Sequence, residues 1–206
     1  MKRQLMSTLV AIAISSGVYT AANAQVSAGL RAGINLANMV EEGGDFDHEL
    51  KAGAAVGAFM EIPVVKFLSI QPELWYSQKG YKTSGNVFGN GYSYKANLNY
   101  LDVPLMLKLK PTQEFGIVAG PQFSWLVSSG YKFETGNGSF EQSFDEDNSN
   151  LRNNLLGGVI GLEYSAGHFV AGARYSLDFQ ENDEDGNTNT PRFKNQVIGF
   201  SLGYRF

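Results

Sequence analysis

The chain has 206 residues, of which 43% are hydrophobic and only 17% charged, with 24 glycines, 10 tyrosines and no cysteine. That length fits one domain, and the lack of cysteine excludes a disulfide framework, a thiolate metal site, a cysteine nucleophile and a lipid-modified cysteine. A formal net charge of −4 argues against nucleic acid as a partner, because that role needs a basic surface.

Lys2 and Arg3 precede a largely apolar stretch from Leu5 to Ile14, then Ser15-Ser16-Gly17 and Ala22-Asn23-Ala24. A basic start, a short apolar segment and an A-x-A site describe a secretory signal peptide over residues 1–24. The apolar run is shorter than the roughly 20 residues a spanning helix needs. No other segment is a candidate transmembrane helix. Cleavage after Ala24 leaves residues 25–206 as one domain in an exported compartment.

From there apolar and polar residues alternate with period two, the mark of strands with two unlike faces. In the first segment Val26, Ala28, Leu30, Ala32, Ile34 and Leu36 oppose Ser27, Gly29, Arg31, Gly33 and Asn35. In the second, Ala52, Ala54, Val56, Ala58, Met60 and Ile62 oppose Gly53, Ala55, Gly57, Phe59 and Glu61. The third sets Leu68, Ile70, Pro72, Leu74 and Tyr76 against Ser69, Gln71, Glu73, Trp75 and Ser77. The fourth sets Leu101, Val103, Leu105, Leu107 and Leu109 against Asp102, Pro104, Met106 and Lys108. The fifth runs from Phe115 to Val127, with Gly116, Val118, Gly120, Gln122, Ser124 and Leu126 on its second face. The sixth, Leu156 to Tyr164, carries Glu163 on that face; the seventh, Phe169 to Asp178, carries Arg174 and Asp178; the eighth, Ile198 to Phe206, carries Arg205.

No apolar face holds a charge. All nine strand charges, Arg31, Glu61, Glu73, Asp102, Lys108, Glu163, Arg174, Asp178 and Arg205, lie opposite. A charge facing lipid at mid-bilayer costs roughly 2–4 kcal/mol for Arg or Lys, whereas inside a narrow barrel it can pair. About 11 residues at about 3.3 Å each, tilted about 45°, cover roughly 25 Å, the height of an outer-membrane apolar band. Residues 39–50, 78–97, 128–154 and 179–194 form long polar connections, and those between them are short. This alternation predicts an all-β, eight-stranded antiparallel up-and-down transmembrane barrel with periplasmic N- and C-termini, short periplasmic turns and long outer loops. A soluble lipocalin-like barrel would show the same period with the faces reversed. Against it stand the Gly- and Ser-rich polar faces and the aromatic residues near strand ends. Pro72, Pro104 and Pro121 resist a regular ladder, since each removes a donor; bulges would accommodate them.

Several of these pieces resemble the PorT-like outer-membrane β-barrel protein family. They are Arg31-Ala32-Gly33-Ile34-Asn35-Leu36, the run from Leu68 to Gly80 containing Gln71-Pro72-Glu73-Leu74, the run from Leu98 to Leu105 containing Tyr100-Leu101-Asp102-Val103-Pro104, and Ala119-Gly120-Pro121. Gly172-Ala173-Arg174-Tyr175 and Leu202-Gly203-Tyr204-Arg205-Phe206 complete the set, which spans the whole mature chain. The resemblance implies a Gram-negative outer-membrane barrel with no known catalytic site, in a family associated by name with protein secretion.

A hydrolase would need a nucleophile beside a base. His48 sits among Glu41, Glu42, Asp45, Asp47 and Glu49 with no serine next to it, and His168 lies in a short turn at the other end. The chain is therefore expected not to be an enzyme and to need no cofactor; an outer-leaflet lipid-modifying enzyme is the enzymatic alternative. Asp145-Glu146-Asp147-Asn148 and 182–187 carry calcium-type oxygens without the EF-hand order, so solvated acidic loops are the simpler reading. Asn90-Gly91 and Asn137-Gly138 are turn signals in outer loops. Lys79, Lys82 and Lys95 stand in an outer segment with no acid from 78 to 97; they either touch lipopolysaccharide phosphates or simply decorate a loop.

The nine interior charges are nearly balanced, and an eight-stranded lumen is just wide enough for side chains. A packed structural network is expected rather than a narrow channel, with inward glycines giving the long side chains room. Tyr204 and Phe206 form the terminal pattern that barrel-assembly machinery would read through the C-terminal strand. The expected surroundings are outer-membrane lipids and lipopolysaccharide, and the expected role is structural or interaction-based, with an envelope or secretion protein as partner.

Overall fold

The computed structural model describes residues 26–41, 50–87, 90–135, 138–145, 154–180 and 193–206. The leader, His48 and the acidic stretches 146–148 and 182–187 lie outside the described residues. Nine strands follow in order: β1 (Ser27–Glu41), β2 (Lys51–Val65), β3 (Leu68–Val87), β4 (Asn90–Leu109), β5 (Phe115–Thr135), β6 (Gly138–Asp145), β7 (Asn154–Ala166), β8 (Phe169–Asp178) and β9 (Phe193–Arg205). Every pairing is antiparallel, and β1 closes on β9 from Gly29↔Arg205 to Glu41↔Phe193. β4 pairs with β5, whose lower part pairs with β7, so the ring is complete with eight staves. β6 is the ninth strand and stands outside the ring, folded back on the upper part of β5 from Ser128↔Asp145 to Thr135↔Gly138.

The faces fall as the alternation demands. Leu30, Ile34, Leu74, Leu105, Leu107, Phe123, Ile160, Leu162, Phe200 and Leu202 are exposed on the outer wall, while Arg31, Glu61, Glu73, Asp102, Lys108, Glu163 and Asp178 are buried inside. A soluble barrel has the opposite arrangement, so the lipocalin-like alternative falls here. At one end the rings of Phe115 and Tyr164 meet edge-on at 5.4 Å, as do Phe169 and Tyr204 at 5.7 Å and Tyr204 and Phe206 at 5.8 Å. These outward rings make an interfacial girdle beside the short turns.

Two expectations about the connections need correction. Residues 78–97 are not a loop: β3 and β4 continue as a paired hairpin up to Val87↔Asn90. Likewise β5 runs on to Thr135 and pairs with β6, within the stretch 128–154 expected to be loop. Asn90-Gly91 therefore begins a strand, paired as Val87↔Asn90 and Asn86↔Gly91. The physical reason is that above the apolar band both faces of a hairpin are wet, so pairing continues while the apolar–polar contrast fades. β5 also changes phase there, since Asn99 opposes Ser128 but Tyr100 opposes Leu126, leaving Val127 as a bulge.

The prolines are not accommodated by bulges. The β2–β3 register is the same at Phe59↔Glu73 and Ile62↔Ile70, with the intervening pairs beside Pro72 absent from the ladder. The β3–β4 ladder likewise passes from Pro72↔Leu105 to Trp75↔Asp102, omitting Pro104's row. The β4–β5 ladder passes from Pro104↔Gln122 to Leu107↔Ala119, omitting Pro121's row. Each missing donor is met by a local interruption with the register kept, and the three gaps descend diagonally across neighbouring staves.

Candidate functional site

Inward side chains from six staves meet in one chain of ion pairs. Glu61 on β2 receives Lys108 on β4 at 3.0 Å, and Lys108 lies 2.9 Å from Glu163 on β7. Glu163 also accepts a hydrogen bond from Arg31 on β1. Arg31 stands 3.7 Å from Glu73 on β3, which accepts from Arg174 on β8 at 2.8 Å. Neutral donors add to the acids of the chain. Gln71 Nε2 donates to Glu73 at 2.7 Å and to Glu163 at 2.9 Å, Trp75 Nε1 donates to Glu73 at 2.6 Å, and Ser69 Oγ donates to Glu61 at 3.1 Å. The guanidinium of Arg31 also lies over the Phe59 ring at 4.0 Å, and that of Arg174 over Trp75 at 4.6 Å. Those faces accept the cations where no oxygen reaches Nε.

Arg205 sits at the rim rather than in the chain. Its Nη1 is 4.0 Å from Glu61, while Nη2 donates to the Gly167 carbonyl at 2.9 Å. Asp102 and Asp178 belong to a second group nearer the end that carries the tall hairpins. Lys79 Nζ lies 3.0 Å from Asp102 and 3.3 Å from Ser124 Oγ, and Asn195 donates to Asp178 at 2.7 Å. Leu98, Tyr100, Leu126 and Leu155 pack beside this group, and Met106, Val118 and Val159 form a second apolar filling. Between the two polar groups lies a cavity of about 30 Å³ lined by Asn35, Trp75, Asp102, Gln122, Arg174 and Ser201 among others, polar and large enough for water.

Inward glycines make this packing possible. A Cβ on Gly203 would stand 2.6 Å from Arg31 Cγ, and one on Gly116 would stand 2.7 Å from Lys108 Cε. Each cation lies where a neighbouring stave has no side chain.

Two members of the lumen were not among the nine expected residues. Lys79 was expected in an outer loop, with lipopolysaccharide contact as one reading, and is instead buried in the lumen on β3. Its odd number continues Ser69, Gln71, Glu73, Trp75 and Ser77, a phase that could have been carried one step further. Lys110, in a short turn, reaches back to Glu61 at 2.6 Å; no strand pattern marks it. His168 lies in its turn with Nδ1 2.7 Å from the Arg205 carbonyl and its ring stacked on Tyr204 at 5.3 Å. Among the described residues no group of three or more His, Asp or Glu side chains could hold a metal ion. The buried acids of the lumen engage the cations of neighbouring staves.

No curated protein matches the chain. Among solved structures, Neisserial surface protein A is 13% identical with a TM-score of 0.52, over 88% of this chain and 99% of that one. Ail, the attachment invasion locus protein of Yersinia pestis, is 14% identical with a TM-score of 0.48, over 87% of this chain and 98% of that one. At such identities the first likeness speaks for the fold and the second adds nothing to it. The family described as outer membrane protein beta-barrel domain matches residues 20–184, and the chain belongs to it.

Proposed function

We propose that this barrel is a surface interaction protein of the outer membrane, built as a plugged scaffold that presents two tall hairpins to an envelope or secretion partner. The observation that carries this reading is the contrast between a lumen crossed by ion pairs from six staves and strands β3, β4 and β5 of 20, 20 and 21 residues. A filled lumen leaves the ends of the barrel as the places where chemistry can be read. In this reading the leader is removed after Ala24, both termini are periplasmic, and the nine charges serve the wall rather than a substrate. Tyr204 and Phe206 present the last strand to the assembly machinery; Phe206 N donates to the Ala28 carbonyl at 2.8 Å, seating it beside β1. The resemblance to PorT-like barrels favours secretion as the setting.

The test uses a photo-crosslinking residue in intact cells, placed at Asn86 in the β3–β4 hairpin and, as a control, at Ile160 on the lipid face. A discrete protein adduct from the hairpin but not from the wall supports the reading. Identical adduct patterns from both positions, or none from the hairpin, would sink it.

A further inference from the structure

The lipid-facing wall on the side away from the tall hairpins is furrowed. Across β7, β8, β9, β1 and β2 the outward residues stand in rows, and the row Tyr164↔Ala171↔Leu202↔Ala32↔Val56 alternates large and small. Leu202 is 73% exposed and forms a ridge between two floors, Ala171 and Ala32. A furrow of about 520 Å³ takes in both floors, with Phe169 and Tyr204 at its foot. A hollow of about 410 Å³ shares Ala32, Ala171 and Leu202 with it and continues along the wall to Phe200, away from the short turns.

Acyl tails are as apolar as this wall, so apolarity alone favours no particular lipid; shape and headgroup do. The two floors lie two strands apart, roughly 10 Å, which lets a lipid with two acyl chains straddle the Leu202 ridge. The foot of the furrow lies in the aromatic girdle, where Phe169 meets Tyr204 at 5.7 Å and Tyr204 stacks on His168 at 5.3 Å. A lipid whose tails fill both floors therefore has its headgroup beside the Gly167-His168 turn. Basic groups stand there. Arg205 is held at the turn by the Gly167 carbonyl, 2.9 Å from Nη2, with Nη1 4.0 Å from Glu61 and its side chain 29% exposed. Five N–H donors on a guanidinium leave it able to meet a phosphate as well. His168 is exposed, with Nδ1 engaged by the Arg205 carbonyl, so its other ring nitrogen is the one turned outward. In the neighbouring short turns Lys66 is exposed, and Glu114 is the one exposed acid among the described residues. The charge at the foot thus suits an anionic headgroup.

We propose that the furrow holds one glycerophospholipid, with an acyl chain on either side of Leu202 and its phosphate at the Gly167-His168 turn beside Arg205. The furrow lies over the β1–β9 pairing that closes the ring, so the bound lipid clasps the seam where the two ends of the barrel meet. The leaflet follows from the orientation given under Proposed function, which places the short turns in the periplasm; the fit of lipid to furrow does not depend on it.

The full-length mature barrel, delipidated in a nonionic detergent, is titrated with phosphatidylglycerol, with diacylglycerol of the same chains, and with lipopolysaccharide, and retention is read by native mass spectrometry. One phosphatidylglycerol should stay bound per barrel, more tightly than either other probe. Losing roughly ten carbon contacts corresponds to about fivefold or more, so Ala171→Leu with Ala32→Leu, filling both floors, should weaken phosphatidylglycerol binding by at least that factor. Ala119→Leu, on the exposed wall of β5, should leave it unchanged. Arg205→Gln should cost phosphatidylglycerol about fivefold and leave diacylglycerol as it was, a split that a merely distorted rim would not give. If the double Leu variant does not refold, Ala171→Leu alone decides, with a loss of about twofold or more expected. Uptake of several phosphatidylglycerols with no discrete first one, unchanged binding by the Leu variants, or diacylglycerol or lipopolysaccharide held as well as phosphatidylglycerol overturns the site. Crosslinking from Asn86 reads the hairpins separately, so a failed furrow beside a discrete hairpin adduct removes the lipid site alone.

Discussion

Glu163 is the acid shared by two buried bases, which makes Glu163→Gln the sharpest perturbation of the plug. Its side chain is 1% exposed, it accepts from Arg31 and Gln71, and Lys108 Nζ lies 2.9 Å away. Glutamine keeps the shape and one acceptor oxygen but removes the charge, so Arg31 and Lys108 share one anion fewer. Breaking a buried pair by removing one partner costs about 3–5 kcal/mol. Here Arg31 retains Glu73 at 3.7 Å and Lys108 retains Glu61 at 3.0 Å. The expected loss therefore falls at the low end, about 3 kcal/mol. Urea titration of the barrel in detergent micelles reads it, followed by tryptophan fluorescence and by the mobility difference between boiled and unboiled samples. Trp75 is a suitable reporter, because its indole donates to Glu73 within the same network. Glu114→Gln, in an exposed turn, should change stability by less than about 0.5 kcal/mol. A second arm replaces the pair by apolar residues, Arg31→Met with Glu163→Leu. If desolvated charge is what the singles uncover, the double variant should lose at least about 1 kcal/mol less than the two singles summed. A Glu163→Gln loss below about 1 kcal/mol, or strict additivity in the cycle, would refute the ion-pair account of the plug.

Four further outcomes follow from the same geometry. Lys79→Met leaves Asp102 buried without its cation and should cost about 3 kcal/mol in the same titration, whereas Lys82→Gln, two rows higher on the outer face, should be nearly silent. Ile160→Arg puts a cation at the middle of the lipid face of β7, where Ile160 is 56% exposed; in lipid bilayers it should cost about 2–4 kcal/mol. Gly203→Val drives a side chain into Arg31 Cγ, 2.6 Å from the added Cβ, and should cost about 1–3 kcal/mol through overpacking. Reconstituted in planar bilayers, the wild type should give no porin-sized conductance steps; regular steps of that size would mean the lumen is not closed by its side chains.

The wall was legible in the sequence because each stave sits between two solvents of opposite character, and period-two alternation records that contrast residue by residue. It placed Arg31, Glu73 and Glu163 inward without naming their partners, since pairing depends on stagger between staves that single-strand patterns do not encode. Register became readable only where staves were matched, as in Glu163 meeting Gly172 across β7 and β8. Strand ends were less legible. Beyond Ser77 the residues Gln78, Lys79, Gly80, Tyr81 and Lys82 show no apolar contrast, yet pairing runs on to Val87. Lys79 was misplaced for that reason, and the row formed by Lys82, Lys95 and Lys132 was hidden because Lys132 lay in a different expected loop. Nor did the prolines signal their solution, because an interrupted ladder at constant register leaves the side-chain alternation untouched.

The asymmetry of the wall bears on where recognition happens. β8 has 10 residues, about what a tilted strand needs to cross the apolar band, whereas β3, β4 and β5 have about twice that. The surplus exceeds what the apolar band requires, and only its first rows, with Lys79, Tyr81 and Leu98, serve the filling of the lumen. At the opposite end nothing comparable is offered among the described residues: β2 and β3 are joined at Lys66-Phe67, β7 and β8 at Gly167-His168, and Lys110 and Arg205 fold back towards Glu61. A partner meeting that end finds tight turns and inward-directed charge. A partner or lipid meeting the other end finds a raised four-stranded sheet of β3, β4, β5 and β6, whose last strand pairs on one side only among the described residues. Such an edge exposes backbone donors and acceptors, which natural sheets ordinarily shorten, cover or charge. β6 is short, at eight residues, and Glu141 lies within it, so the edge carries two of those protections. Lys82, Lys95 and Lys132, directly opposed on the adjacent strands, add charge beside that edge, a protection of the same kind.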